Sequence, residues 1–166
     1  MLAGRAVRGT YRRARARRAP DGVLAVSEDR RQRGVDMTTA TTQGPVEEFR
    51  RLSDGDAELR AHGAYFSCTY LLDMERHAFL VRMHRGRVED LVVDPEPLTA
   101  YDFAIRAGAA TWREFCSPVP KPMYHGIWAA SFQRDMRLEG DLLVLMQNLR
   151  CLTRQLELLR LTGPLG

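Results

Sequence analysis

The sequence predicts an α+β fold, in which helices pack on one face of a five-stranded, mainly antiparallel sheet, with either a plain core or an apolar cavity for a ligand between the two layers. Two patterns lead to this prediction. Apolar and polar residues alternate in short runs between residues 65 and 106, as in strands with one buried face. In the last quarter of the chain, leucines recur at spacings of three and four, which is typical of an amphipathic helix that covers such a face.

The domain is predicted to begin with helical segments. A short helix is expected from Pro45 to Leu52, with two glutamates in its first turn, where the helix dipole favours acidic side chains. Residues 53–56 read Ser-Asp-Gly-Asp and predict a turn. A further helical turn then runs to His62 and ends at Gly63.

Four strands are predicted next. The alternation over 65–74 indicates a first strand with one strongly apolar face. A hairpin across 84–87 joins the second and third strands, because Gly86 supplies the positive φ of a tight turn. A fourth strand is expected over 101–106, before Gly108.

The remaining elements close the domain. Residues 109–116 predict a helix that carries a tryptophan and a phenylalanine, and prolines keep the following loop at 117–122 extended. A helix from about Tyr124 to Asp135 and a fifth strand from Met136 lead to the final helix. We expect that helix to be continuous and to present Leu142, Leu145, Leu149, Leu152, Leu156 and Leu159 on one face.

Two acidic residues precede the final helix. Glu139 and Asp141 flank Gly140 and have the residue types of a general acid and base. Their position favours a structural role, in which Asp141 accepts hydrogen bonds from the first backbone amides of the helix. Gly140 then permits the sharp turn, and Glu139 faces outward from the strand.

Composition divides the chain into three segments, a basic leader at 1–44, a folded domain at 45–161 and a flexible tail at 162–166. Residues 1–36 carry ten arginines against four acidic residues, so the net charge of +4 originates there. We interpret the leader as disordered, because it has too few large apolar side chains to offset the entropy of ordering. Residues 1–36 either precede a true translation start at Met37, or form an arm for nucleic acid or anionic membranes, or are a transit peptide. The folded domain itself is not expected to bind nucleic acid.

Cysteines and hydropathy indicate a soluble, cytoplasmic protein. Cys68, Cys116 and Cys151 are odd in number and lie in apolar surroundings, which favours reduced core thiols. The sequence contains no uninterrupted apolar run near the roughly 18 to 20 residues that span a bilayer.

Motifs for catalysis are absent from the sequence. The four histidines are scattered, and neither a nucleophile elbow, a glycine-rich phosphate loop nor a His-Glu-x-x-His helix occurs. Ser117 beside Cys116 lacks a general base at a readable spacing. We therefore expect no enzymatic activity, metal or cofactor. His125 beside Tyr124 remains an alternative, either as a polar contact for a ligand or as the central residue of a small hydrolase or isomerase.

Three segments resemble the sterol carrier protein-2 superfamily. They are the hairpin with Gly86, the strand-to-helix step at 102–106 that leads to Trp112, and Leu-Glu-Gly-Asp at 138–141 before the leucine-rich helix. The resemblance covers roughly residues 45–161. It implies a sheet and helices that enclose an apolar tunnel, and non-enzymatic binding of sterols, fatty acyl chains or other lipids. The chain departs from the family pattern in its proline-rich loop and its arginine-rich last helix.

Aromatic residues are concentrated where such a tunnel would have its wall. Seven of the thirteen aromatics lie between Tyr101 and Phe132, and aromatic and methionine side chains make apolar, adaptable walls. The residues predicted to contact the ligand are Phe103, Trp112, Phe115, Met123, Tyr124, Ile127, Trp128, Phe132, Leu142, Leu145, Met146 and Leu149. The alternative is a protein-interaction or dimerisation module with a filled core, which uses the C-terminal leucine-rich helix as its contact surface. The protein is expected to be a monomer or a weak homodimer.

Overall fold

The computed structural model describes residues 42–165, so the predicted leader up to residue 41 lies outside the described residues. Helix α1 covers residues 42–55. The elements that follow are α2 (Ala57–His62), a 3₁₀ helix (Gly63–Tyr65), β1 (Cys68–Asp73), β2 (Ala78–His84), β3 (Arg87–Val93), β4 (Phe103–Arg106), α3 (Ala109–Phe115), α4 (Ile127–Gln133), β5 (Arg137–Gly140), α5 (Leu142–Gln147) and α6 (Leu149–Thr162).

Strand β1 lies at the centre of the sheet, whose order is β3-β2-β1-β4-β5. It pairs antiparallel with β2 and parallel with β4, and the two outer pairs are antiparallel. The predicted α+β class and the five-stranded, mainly antiparallel sheet are therefore confirmed.

The β2–β3 hairpin turns at Arg85 and Gly86. Both residues have positive φ, 49° and 77°, as in a type I′ turn, whose twist matches that of the strands it joins. The predicted role of Gly86 is confirmed.

The turn predicted at 53–56 is wrong, because helix α1 continues to residue 55. Asp56 alone separates the two helices, and its carboxylate caps α2 by accepting the Leu59 amide at 2.9 Å. Ser53 is fully buried and accepts a hydrogen bond from Gln155. Tertiary contact therefore overrides the local preference of Ser-Asp-Gly-Asp for a turn.

Other elements are also shorter than predicted. Strand β1 covers Cys68–Asp73 rather than 65–74, because Tyr65 ends a 3₁₀ helix. Strand β4 starts at Phe103 and leaves Tyr101 outside it, and α4 covers Ile127–Gln133 rather than 124–135. Gly126 is the extended N-cap residue of α4. At the other end, Asp135 leaves the helical path and hydrogen-bonds the start of α3.

The prediction of one continuous final helix is also wrong, because Asn148 separates two helices, α5 and α6. The side-chain amide of Asn148 donates to the Val144 carbonyl at 2.8 Å, and its backbone amide bonds the Val144 and Leu145 carbonyls at 3.2 Å. This local bonding ends α5, and α6 begins at the next residue, Leu149. The expected stripe is therefore buried at Leu145, Leu152, Leu156 and Leu159, whereas Leu142 is exposed and Leu149 is half-buried.

The main core lies between the inner face of the sheet and the helices. Leucines of α5 and α6 pack there against residues of β1, β2 and β4, so the leucine stripe is buried within this chain. A small second cluster of Leu71, Leu80 and Ala104 lies on the opposite face of the sheet. Leu165, in the predicted flexible tail, is fully buried in the main core.

Candidate functional site

The inner face of the sheet forms one wall of the apolar interior. Residues two apart on a strand point to the same face, so β1, β2 and β4 each contribute a pair of side chains that are fully buried. These are Tyr70, Leu72, Phe79, Val81, Phe103 and Ile105. The rings of Tyr70 and Phe103, paired in register, stack at 5.5 Å between centroids and 7° between planes.

A polar network that the sequence analysis did not identify crosses this apolar interior. The Tyr70 hydroxyl donates to Oε1 of Gln155 at 2.7 Å, and Nε2 of Gln155 lies 3.4 Å from Oγ of Ser53 and 3.3 Å from Sδ of Met83. Burial raises the pKa of Tyr70 well above its ordinary value. A glutamine between Leu152 and Leu156 was the signal that could have revealed it.

Helix α3 supplies the best-fixed aromatic residue of the opposite wall. The indole nitrogen of Trp112 donates to the Asp73 carbonyl at 2.7 Å, and its ring meets Phe115 edge-on at 5.7 Å. Both side chains are fully buried. Because Trp112 is fixed by a hydrogen bond as well as by packing, this part of the wall is preorganised.

Helix α4 is one part of the wall that reaches the surface. Ile127 and Ala130 point inward and are buried, whereas Phe132 is 77% exposed. Trp128 is half-buried and stacks on Phe132 at 6.2 Å. An apolar path of side chains therefore runs from the core to solvent along this one helix.

The residues predicted to contact a ligand fall into three groups. The structure buries Phe103, Trp112, Phe115, Ile127 and Leu145, half-buries Tyr124, Trp128 and Leu149, and exposes Met123, Phe132, Leu142 and Met146. The buried group lies in one core cluster, against which Trp128 and Leu149 also pack. The sequence thus identified residues of a common interior together with residues at its surface.

Arg160 of α6 fixes the connection between α3 and α4. Its guanidinium donates to the carbonyls of Phe115 at 3.2 Å and His125 at 2.7 Å, and lies 5.4 Å from the centre of the Phe115 ring. His125 therefore contributes a backbone carbonyl here, and its side chain is exposed. No local sequence pattern predicts this role of Arg160.

The thiols are poorly suited to nucleophilic chemistry. Burial raises the pKa of Cys116 to about 12, although the nearby Arg160 charge acts in the opposite direction. Burial, together with the charge of Asp102, raises the pKa of Cys68 to about 12, and burial also raises the pKa of Cys151. The three cysteines are free and buried, as predicted.

Residues 42–165 contain no cluster of three or more histidine, cysteine or acidic side chains that could hold a metal ion. Within the same range, no helix has the length and apolarity required to cross a membrane.

Asp141 is the N-cap residue of α5. Its carboxylate accepts the amides of Leu143 and Val144 at 3.0 and 3.1 Å, so its predicted role as a helix cap is confirmed.

Clefts open beside the apolar interior. One of about 640 Å³ lies at the ends of β1 and β4 and is lined mainly by charged residues. Leu149 lines another of about 380 Å³ beside α2, and Trp112 lines a smaller one of about 160 Å³ near Pro164. Each of these two clefts therefore touches one of the predicted ligand contacts.

Comparison with solved structures shows which known proteins share this architecture. No family model and no curated protein matches the sequence. The crystal structure of sterol carrier protein 2 superposes with a TM-score of 0.58 at 16% identity, covering 70% of this chain and 94% of that one. A conserved hypothetical protein from Thermus thermophilus, suggested to be a sterol carrier protein, gives a TM-score of 0.55 at 16% identity, covering 75% and 87%. The ubiquinone synthesis protein UbiJ-SCP2 gives 0.50 at 11% identity, covering 76% and 95%.

The chain therefore has a sterol carrier protein 2-like fold. At these identities the likeness concerns the fold, and the resemblance recognised in the sequence is confirmed at that level.

Proposed function

We propose that this domain binds an apolar ligand, such as a sterol, a fatty acyl chain or a similar lipid, between its sheet and its helices and carries it without chemical change. The observation that carries this proposal is the apolar path along α4, from buried Ile127 and Ala130 to exposed Phe132. Exposed aromatic side chains that adjoin an apolar interior favour a binding surface at that place.

Entry of a ligand requires the interior to open at its weakest boundary. Helix α3 is fixed by the Trp112 hydrogen bond, and α6 is buried along most of its length. Helix α4 has only seven residues, contributes two buried side chains and lacks a side-chain N-cap. Displacement of α4 would therefore expose the apolar interior at a lower cost than displacement of α3 or α6.

The driving force would be the transfer of hydrocarbon from water, which contributes about 0.8 kcal/mol per buried methylene group. The names of the structural neighbours support a lipid ligand, since two refer to sterol carriage and one to ubiquinone synthesis.

We also propose that the protein is cytoplasmic, because its three cysteines are free thiols.

Tryptophan fluorescence of the full chain, titrated with laurate, acyl-CoA and cholesterol, tests the proposal. Trp128 lies beside the expected entry point, so binding should give a saturable change at micromolar ligand. Phe132→Ser should weaken that binding about tenfold through the lost apolar contact. Leu161→Ser, at a residue that is 70% exposed on α6, is the matched control and should leave it unchanged.

Extraction of the purified protein under denaturing conditions, followed by lipid mass spectrometry, identifies any ligand retained during purification. Failure of every lipid to change the fluorescence, together with lipid-free extracts, would disprove the proposal. A molecular mass that rises with protein concentration in the same preparation would instead support the alternative function, a protein-interaction or dimerisation module with a filled core.

A further inference from the structure

The cleft of about 640 Å³ lies where several elements meet. Asp73 ends β1, Arg106 ends β4, Ser131 belongs to α4 and Arg137 begins β5, and all four line it. Three arginines and three acidic residues contribute to its lining. Its capacity for an ion therefore depends on which of these charges already have partners.

Arg106 is already neutralised. Its guanidinium donates to Asp73 at 2.6 Å and to Glu139 at 2.9 Å, and it also reaches the Tyr101 hydroxyl at 3.1 Å. These bonds are charge-assisted and involve a partly buried arginine. They also occupy Asp73, so this pair adds little net charge to the cleft.

The other two carboxylates are directed to the start of α3. Glu75 accepts the Ala109 amide at 2.7 Å. Asp135 accepts the Gly108 amide at 3.0 Å and the Thr111 hydroxyl. Because α3 lacks a cap from its own N-cap residue, Gly108, these acids satisfy its first amides.

Arg134 has only neutral partners among the described residues. Its guanidinium donates to the carbonyls of Gln133 at 3.2 Å and Pro122 at 3.5 Å, and lies 5.0 Å from the centre of the Tyr124 ring. Its positive charge is therefore not balanced by a hydrogen-bonded carboxylate.

Arg137 is only weakly paired. Its Nε lies 3.9 Å from Glu139, which bonds Arg106 at 2.9 Å, and 73% of its side chain is exposed. Its charge also contributes to the lowered pKa of Asp135, although the Thr111 hydrogen bond is the main cause. Hydrogen-bond donors of Arg137 therefore remain free to bind an anion.

The floor of the cleft is continuous with the apolar interior. Met136 lines the cleft and also belongs to the main core, against which Ala107 packs. Within residues 42–165, no buried side-chain nitrogen or oxygen lacks a hydrogen-bond partner. The interior therefore offers no spare partner for a polar head group, whereas this cleft at its edge does.

We propose that this cleft binds the carboxylate head group of a ligand whose hydrocarbon chain continues past Met136 into the interior, with Arg134 and Arg137 as the cationic partners. The inference rests on the proposed function and narrows the ligand to an anionic amphiphile. A fatty acid has both an anionic head group and a hydrocarbon part, whereas a neutral sterol or alcohol lacks the anionic group.

The experiment compares laurate with dodecanol and with acetate on the full chain, by tryptophan fluorescence and calorimetry. The wild type should bind laurate more tightly than dodecanol, and acetate much more weakly than either. In Arg134→Gln/Arg137→Gln, laurate should bind about three- to tenfold more weakly while dodecanol is unaffected. Arg87→Gln, which removes an exposed arginine of β3, is the matched control. Higher ionic strength should weaken laurate binding and leave dodecanol binding unchanged.

The outcomes separate the two proposals. Equal affinity of wild type and double variant for laurate overturns the head-group site but leaves apolar binding intact, provided that dodecanol binds. If acetate binds as tightly as laurate, the hydrocarbon chain contributes nothing, and the proposal that the ligand continues from the cleft into the apolar interior is wrong. A wild type that binds neither laurate nor dodecanol overturns both the proposed function and this inference.

Discussion

The hydroxyl of Tyr70 donates a 2.7 Å hydrogen bond to Oε1 of Gln155, and both side chains are fully buried. The bond links the central strand β1 to the last helix, α6. Because each group has lost its water, either one left alone would retain the cost of desolvation without its hydrogen bond. The pair therefore fixes how α6 lies on the sheet.

Tyr70→Phe should destabilise the fold by about 1 to 3 kcal/mol, since Oε1 of Gln155 loses its donor while the packing is kept. Urea unfolding followed by circular dichroism measures this change. Tyr65→Phe is the control, because Tyr65 is 93% exposed, and it should have almost no effect. Adding Gln155→Leu to Tyr70→Phe should cost less than the sum of the single changes. Strict additivity would mean that the two groups do not stabilise each other.

Gly140→Ala should destabilise the protein by more than about 2 kcal/mol. Gly140 has φ of 91°, and an added Cβ would lie 2.5 Å from the Asp102 carbonyl oxygen and 2.9 Å from the Cα of Phe103. Gly55→Ala provides the comparison, because no atom lies within 4 Å of its Cβ position and Gly55 is helical. That change should be neutral or stabilising. Equal thermal midpoints for the two variants would contradict the close approach of β5 to β4.

Arg160→Gln should loosen the connection between α3 and α4, because the carbonyls of Phe115 and His125 lose their shared donor. Hydrogen exchange measured by mass spectrometry should show faster exchange over residues 117–126, with α6 unchanged. Arg150→Gln is a suitable control, since it removes a more exposed ion pair with Glu58 at 3.4 Å. Unchanged exchange over that loop would show that Arg160 does not hold it.

Stability should fall as the pH rises from about 9 to 12. The pKa of Cys68 and that of Cys116 are each raised from an ordinary value of 9.0 to about 12 by burial. The unfolded chain therefore releases these protons first, so the stabilisation is present below pH 9 and is lost as the pH approaches 12. Urea midpoints measured across this range test the sign. Native thiols should also react slowly with Ellman's reagent and quickly in denaturant. A midpoint that rises with pH would contradict the burial of the thiols.

Periodic and local signals were sufficient for much of the fold. Alternation around Tyr70 predicted β1 and its apolar face, Gly86 predicted the hairpin turn, and Asp141 predicted a helix cap. In each case the cause lies within a few residues of its effect. The resemblance to sterol carrier proteins rested on such local segments and was confirmed for the fold.

Features that depend on distant partners could not be predicted from the pattern. The leucine spacing continues through Asn148, so it gave no sign of the break between α5 and α6. Gln155 lies within the leucine-rich segment, but its burial depends on a hydrogen bond with Tyr70, which is 85 positions away in sequence. The charged cleft combines Asp73 and Arg106 with residues that follow α4, and only the strand register brings them together.

The parallel pairing of β1 with β4 implies an order of folding. The β2–β3 hairpin closes through two residues, whereas Tyr70 meets Phe103 only after a much longer loop is closed, at a larger cost in chain entropy. Early nucleation should therefore involve the hairpin. The half of the sheet that borders the charged cleft should assemble late and form the kinetic bottleneck.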